Sequence, residues 1–188
     1  MSLILTSNTS TESWQSLVQS ALDSCDQSLD EELESYLVFM LMRNMGCTDL
    51  ADNIIAKQYL QGMQSGGQVA IQQLQDVGDQ CLLFSGLFPK QSDRRLVKVT
   101  YYIDLGRSAY SQMAQKMKRQ SALLYERLAK YFVTLMDILQ AMRCLDMAFE
   151  QDMHRLIEYA QDCGSARAKK LLADNNVTML AWHDKNSN

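Results

Sequence analysis

The chain has 188 residues, 47% apolar and 21% charged, with a net charge of −4. That size and balance suit one folded domain with its own core and exclude wholesale disorder. With 8 glycines and 1 proline there is too little punctuation for an all-β fold or a proline-rich linker, while 12 methionines favour helices packed through adaptable side chains.

Cys25, Cys47, Cys81, Cys144 and Cys163 are odd in number and contain no CxxC pair, which argues for reduced thiols and a cytoplasmic setting. "MSLILTSNTS" is a poor match to a signal peptide, and no run of about 18 apolar residues predicts a membrane span. Charge is split along the chain. Residues 1–88 carry two basic and eleven acidic groups, hence −9, and residues 89–188 carry sixteen and eleven, hence +5. Ten Lys/Arg fall between Lys90 and Lys130. With no nucleic-acid motif beside them, the favoured reading is that the two halves pack together and neutralise one another, not that a nucleic acid binds.

In chain order, residues 1–10 are expected to fray. "STES" (Ser10 to Ser13) opens a helix with Trp14, Leu17, Val18, Ala21 and Leu22 on one face. "SLDE" reads as a capping box, with Ser28 and Glu31 satisfying each other's backbone N–H, before Leu33, Tyr36, Leu37, Met40 and Leu41 repeat at helical spacing to Gly46. Thr48 caps a third helix, with Asp49 and Asp52 in its first turn, that ends before "SGG" (Ser65 to Gly67). Val69, Leu74, Val77, Cys81, Phe84 and Phe88 carry a fourth, closed by Pro89, and "KQSDRR" is an exposed loop.

"LVKVTYYI" alternates like a strand, but it has no partner strand and reads as an extended lead-in to a helix capped by Thr100 with Tyr102, Leu105, Ala109 and Met113 inward. From Ser121 to Cys163, Leu124, Leu128, Tyr131, Leu135, Ile138, Met142, Leu145 and Phe149 form a heptad-like seam. Tyr125, Phe132, Met136 and Leu139 add a second apolar side, so 123–142 reads as a buried central helix. Gly164 ends this run and Ser165 caps a short basic helix, Ala166 to Ala173. The tail "VTMLAWH" is apolar enough to dock, and 184–188 fray. The expected fold is an all-α, single-domain bundle over 1–188, with seven or eight helices around a long buried one.

Catalytic constellations are missing from the sequence. There is no G-x-S-x-G, Walker A or G-x-G-x-x-G, and Cys81 has no identifiable partner base. Asp146, Glu150, His154, Glu158 and Asp162 recur every four residues, which invites a metal reading. At about 100° per residue, however, His154 points roughly 140° from the buried seam, so the stripe reads as a solvated acidic face. No catalytic residue, metal or cofactor is expected.

"TYYIDLGRSAY" (Thr100 to Tyr110) offers the better chance of a site. An arginine with tyrosine hydroxyls near a helix start suits an anionic ligand, against an alternative in which Asp104 and Arg107 are a plain i,i+3 pair and the tyrosines are core edges. A ligand pocket between the 78–88 and 101–117 helices would be lined by Asp79, Tyr102, Asp104, Arg107 and Tyr110. In "VGDQCLLFSGLFP", Gly78, Cys81 and Ser85 form a small-residue stripe flanked by Gly86, which suits close approach of the Tyr101 helix.

"GDQCLLFSGLFP" followed by "VTYYIDLGRSAY" resembles a motif pair of uncharacterised, mostly helical bacterial proteins. The resemblance spans Gly78 to Tyr110. It implies a bacterial origin and a block used as a unit, and brings no activity, cofactor or partner with it. The leading functional expectation is a non-enzymatic protein-interaction or regulatory module with a protein partner, able to form a homo-oligomer and not bound to membrane. The alternatives are an anionic-ligand-binding protein or an enzyme using that pocket and, more weakly, nucleic-acid binding through the basic 90–130 stretch.

Overall fold

The computed structural model describes residues 10–44, 52–88, 97–146 and 153–174. All regular structure among them is α-helical, in nine helices rather than seven or eight. None of these helices is long and apolar enough to cross a membrane. They fall into two compact units, Met1–Met147 and Ala148–Asn188. The expected Thr48 cap, the "KQSDRR" loop with Pro89, and the tail after Asp174 lie outside the described residues.

In the first unit, α1 (Ser10–Cys25) buries Val18, Ala21, Leu22 and Cys25. It closes on Asp26, whose φ of 54° is the left-handed conformation that Asp tolerates better than most side chains, and the Gln27 N–H reaches the Leu22 carbonyl at 3.1 Å. α2 (Glu31–Asn44) buries the expected Leu33, Tyr36, Leu37, Met40 and Leu41. Its cap differs from the expected Ser28. Asp30 Oδ1 accepts from the N–H groups of Glu32 at 3.1 Å and Leu33 at 3.2 Å. An ionised carboxylate at that position satisfies the orphan donors and also complements the positive end of the helix dipole.

α3 (Asp52–Gln64) and α4 (Gly67–Gly86) meet at the predicted "SGG" break. Val69 and Phe88, expected on the apolar face, are 60% and 42% exposed. Val69 lies in the first turn of α4 on the flank away from Ala70, and Phe88 follows the helix end. Between them, all six residues from Cys81 to Gly86 are buried, because α4 packs against α3, α5 (Val99–Lys116) and α7 (Phe132–Asp146). α5 begins after Lys98, two residues earlier than a Thr100 cap allows, and no side chain caps it.

The long helix expected from 121 is divided. α6 (Arg119–Lys130) ends at Tyr131, whose φ of −95° and ψ of 15° turn the chain before α7. "YFVT" (Tyr131 to Thr134) holds only aromatic and β-branched residues, which are weak helix formers, so a break costs little there. Packing makes it useful: α6 lies on α5 and α2, whereas α7 lies on α1 and α4. All-round burial therefore begins at Phe132 and continues through Leu135, Met136, Ile138, Leu139 and Met142, while Leu123 is 53% exposed. Residues 147–152 lie outside the described set.

In the second unit, α8 (Met153–Gln161) and α9 (Ala166–Asp174) pack together through Leu156, Tyr159, Ala160, Ala168 and Leu172. Gly164 takes a φ of 75° at the turn, and the Ser165 hydroxyl accepts from the Ala168 N–H at 2.9 Å, as the predicted cap requires. His154 is exposed on the face opposite this seam.

Candidate functional site

Gly78 and Gly106 bring α4 and α5 together at side-chain-free distance. A Cβ built on Gly78 would lie 2.4–2.8 Å from three ring atoms of Tyr110, and one on Gly106 would lie 2.8 Å from the Cys81 Cβ and 2.5 Å from the Phe132 ring. The small stripe predicted from sequence is thus a seam filled by protein. Phe84 and Tyr102 stack beside it, with ring centroids 5.4 Å apart.

One turn position from Gly78, Asp79 points towards α2 and is 3% exposed. Its Oδ1 accepts from the hydroxyls of Tyr36 at 2.6 Å and Tyr110 at 2.8 Å, and Oδ2 accepts from Arg43 Nη2 at 2.8 Å. Gln75 Nε2 donates to the Tyr36 oxygen at 3.4 Å. Tyr36 also meets Tyr110 and Tyr125 edge to face, and the Arg43 guanidinium lies 5.6 Å from the Tyr36 ring centroid. Three helices, α2, α4 and α5, therefore meet at one carboxylate, and α6 adds Tyr125 against the Tyr36 and Tyr110 rings. Gly78 makes this possible, since the Tyr110 ring occupies the space of its missing side chain and the hydroxyl then reaches Asp79.

Burial pushes the Asp79 carboxyl up from its ordinary value, although the two tyrosines and Arg43 pull it down. Tyr36 and Tyr110 are pushed well above the ordinary 10.0, first by burial and then by the negative charge of Asp79. Tyr125 is raised for the same two reasons. Hydroxyls that favour the protonated state, arranged around a carboxylate whose oxygens are all engaged, serve as fixed donors. They hold the acceptor in place and orient the helices that carry it.

These shifts set a pH dependence. A raised tyrosine pKa gives stability that is full below about 10 and is lost as pH rises towards the folded values. In an absorbance titration, Tyr36 and Tyr110 should stay protonated until the helices melt, so their ionisation and the loss of helical circular dichroism occur together. Tyrosine ionisation that completes with helicity intact would contradict this burial. Asp79 has the same sign in acid: its contribution is full below the ordinary carboxylate range and is lost as pH rises through its own raised value.

Of the five residues predicted to line a ligand pocket, the structure joins Asp79 and Tyr110 directly. Tyr102 is buried against Phe84, whereas Asp104 and Arg107 are exposed on the outer side of α5. Tyr36, Arg43 and Tyr125 are the members that the sequence reading missed. One signal was available. Arg43 is one of only two basic residues before Pro89 and sits two helical turns beyond Tyr36, on the same face. Arg127 turns towards the acidic half as well, pairing with Asp30 and, at 2.8 Å, with Glu32. Among the described residues, no group of three or more His, Cys, Asp or Glu side chains is placed to hold a metal ion.

Comparison with family models, curated proteins and solved structures found no match.

Proposed function

We propose that the protein is a non-enzymatic helical interaction or regulatory module, working in a bacterial cytosol and recognising a protein partner. The observation that carries this reading is the outer side of α3. Leu60 is 59% exposed and Met63 38% exposed, three residues apart and so neighbours on one helix side. The adjoining side is committed inward: Ile55 is buried, Gly62 abuts Leu74, and the Tyr59 hydroxyl lies 2.7 Å from Ser108 of α5. Apolar side chains presented as a strip, with methionine among them, suit an adaptable helix-binding surface. The internally saturated Asp79 cluster serves in this reading as the polar core that fixes the scaffold.

Affinity capture from a native bacterial lysate should return a stoichiometric protein partner. The pair Leu60→Glu and Met63→Glu should lower recovery at least about tenfold, with thermal unfolding unchanged because both sites are at the surface. No partner, together with a thermal shift from a metabolite, would reverse the reading.

A further inference from the structure

A cleft of about 440 Å³ opens where the α1–α2 connection faces the turn between α6 and α7. Its volume falls in the range of small-molecule sites, roughly 300–1,000 Å³. Leu33, 1% exposed, is a buried apolar residue of its lining. The turn supplies the opposite wall: Tyr131 is 38% exposed, and Lys130 holds its ammonium 5.1 Å from the Tyr131 ring centroid. Ser28 and Thr134 add hydroxyls to the lining.

The charges in this lining are not equivalent. Arg127 is engaged by Asp30 and Glu32, and Asp30 is further held by two N–H groups of α2. Lys130 has no carboxylate partner among the described residues, only the ring beside it. Arg127 is thus held by two carboxylates, whereas the Lys130 ammonium pairs with neither of them. A ligand carboxylate can pair with that ammonium, and an apolar or aromatic body fits against Tyr131 and Leu33.

We infer that this cleft binds a small monoanion with an aromatic or apolar body, its carboxylate on Lys130 with Thr134 or Ser28 donating to it. The site is separate from the Asp79 cluster and from the α3 strip. Arg127, Lys130, Tyr131 and Thr134 stand at i, i+3, i+4 and i+7, so the α6–α7 junction sets all four on one side, facing the α1–α2 connection. The cleft's place between two helix junctions suits a ligand that biases how α6 and α7 meet.

The test is a nuclear magnetic resonance titration with three probes: benzoate, its uncharged counterpart benzyl alcohol, and inorganic phosphate. Benzoate should give saturable shifts at the amides of Ser28, Lys130, Tyr131 and Thr134, with benzyl alcohol and phosphate each at least about tenfold weaker, the ratio expected when a charge-assisted hydrogen bond or the apolar contact is lost. Lys130→Ala, an exposed change that leaves the helices intact, should weaken benzoate about tenfold, and Lys130→Arg should retain most of the binding. Absence of saturable shifts at these amides overturns the inference. So does equal binding of benzyl alcohol, equal binding of phosphate, or benzoate affinity unchanged in Lys130→Ala.

Discussion

Replacing Asp79 with alanine should destabilise the fold by about 3 kcal/mol, the largest effect expected from a single polar residue here. The hydroxyls of Tyr36 and Tyr110 both donate to Asp79 Oδ1, and both residues are buried. Truncation leaves two donors without an acceptor, at about 1–3 kcal/mol each. Arg43 adds less, because its side chain is 49% exposed and its freed guanidinium can turn to water. Removing a buried carboxylate also relieves its desolvation, which keeps the total below the simple sum. The measurement is urea unfolding followed by circular dichroism. In a Tyr36→Phe, Tyr110→Phe background, the same Asp79→Ala change should cost clearly less, since no orphaned donor remains. An equal cost in both backgrounds would show that the tyrosine hydrogen bonds are not what Asp79 contributes.

The same cluster shows how far sequence carries. Apolar spacing located α1, α2 and the inner face of α5, because one-sided burial leaves a period that can be counted. It placed the α6–α7 boundary badly. Tyr131 continues the heptad spacing of Leu124 and Leu128, yet the structure turns there because α6 and α7 pack on different neighbours. A change of direction imposed by tertiary contacts has no local period to reveal it. The Asp30 cap was similarly hidden, since Ser28 and Asp30 are both good capping residues and only the position of the first turn decides between them.

Site residues were legible in proportion to their place in the small-residue block. Asp79 and Tyr110 stand in "VGDQC" and "GRSAY", and the packing of Gly78 against Tyr110 joins those two motifs. Tyr36 and Arg43 lie more than thirty residues upstream on a helix whose pattern reads as ordinary core. Asp104 and Arg107 drew attention as charges beside tyrosines, but on α5 they fall on the side away from Tyr110 and Gly106. Helical phase separates the two sets, and it can be counted only once the inward residues of α5 are known.

The second large effect should come from adding a single methyl group at the α4–α5 seam. Gly106→Ala gains about 1 kcal/mol of helix propensity in isolation. In the folded chain its Cβ would stand 2.8 Å from the Cys81 Cβ, an atom fixed to the α4 backbone, and 2.5 Å from the Phe132 ring. Relief therefore requires α4 and α5 to separate, or the buried Phe132 to leave its place. Overpacking of this kind costs about 1–3 kcal/mol and occasionally more. A net loss near 2 kcal/mol is expected, with Gly78→Ala similar because its Cβ meets the Tyr110 ring. Gly78→Ala should also displace the Tyr110 hydroxyl from Asp79, so tyrosine ionisation should begin at lower pH than in the parent. Gly66→Ala is the control: nothing lies within 4 Å of its Cβ, and its φ of −116° suits any residue. As the N-cap of α4 it should lose no more than about 1 kcal/mol, the cost of alanine at a cap, and unfold closer to the parent than the seam variants do. If all three alanine variants unfold alike, the glycines do not hold the helices at this separation. If only the seam variants fall, close backbone approach is what keeps Tyr110 on Asp79.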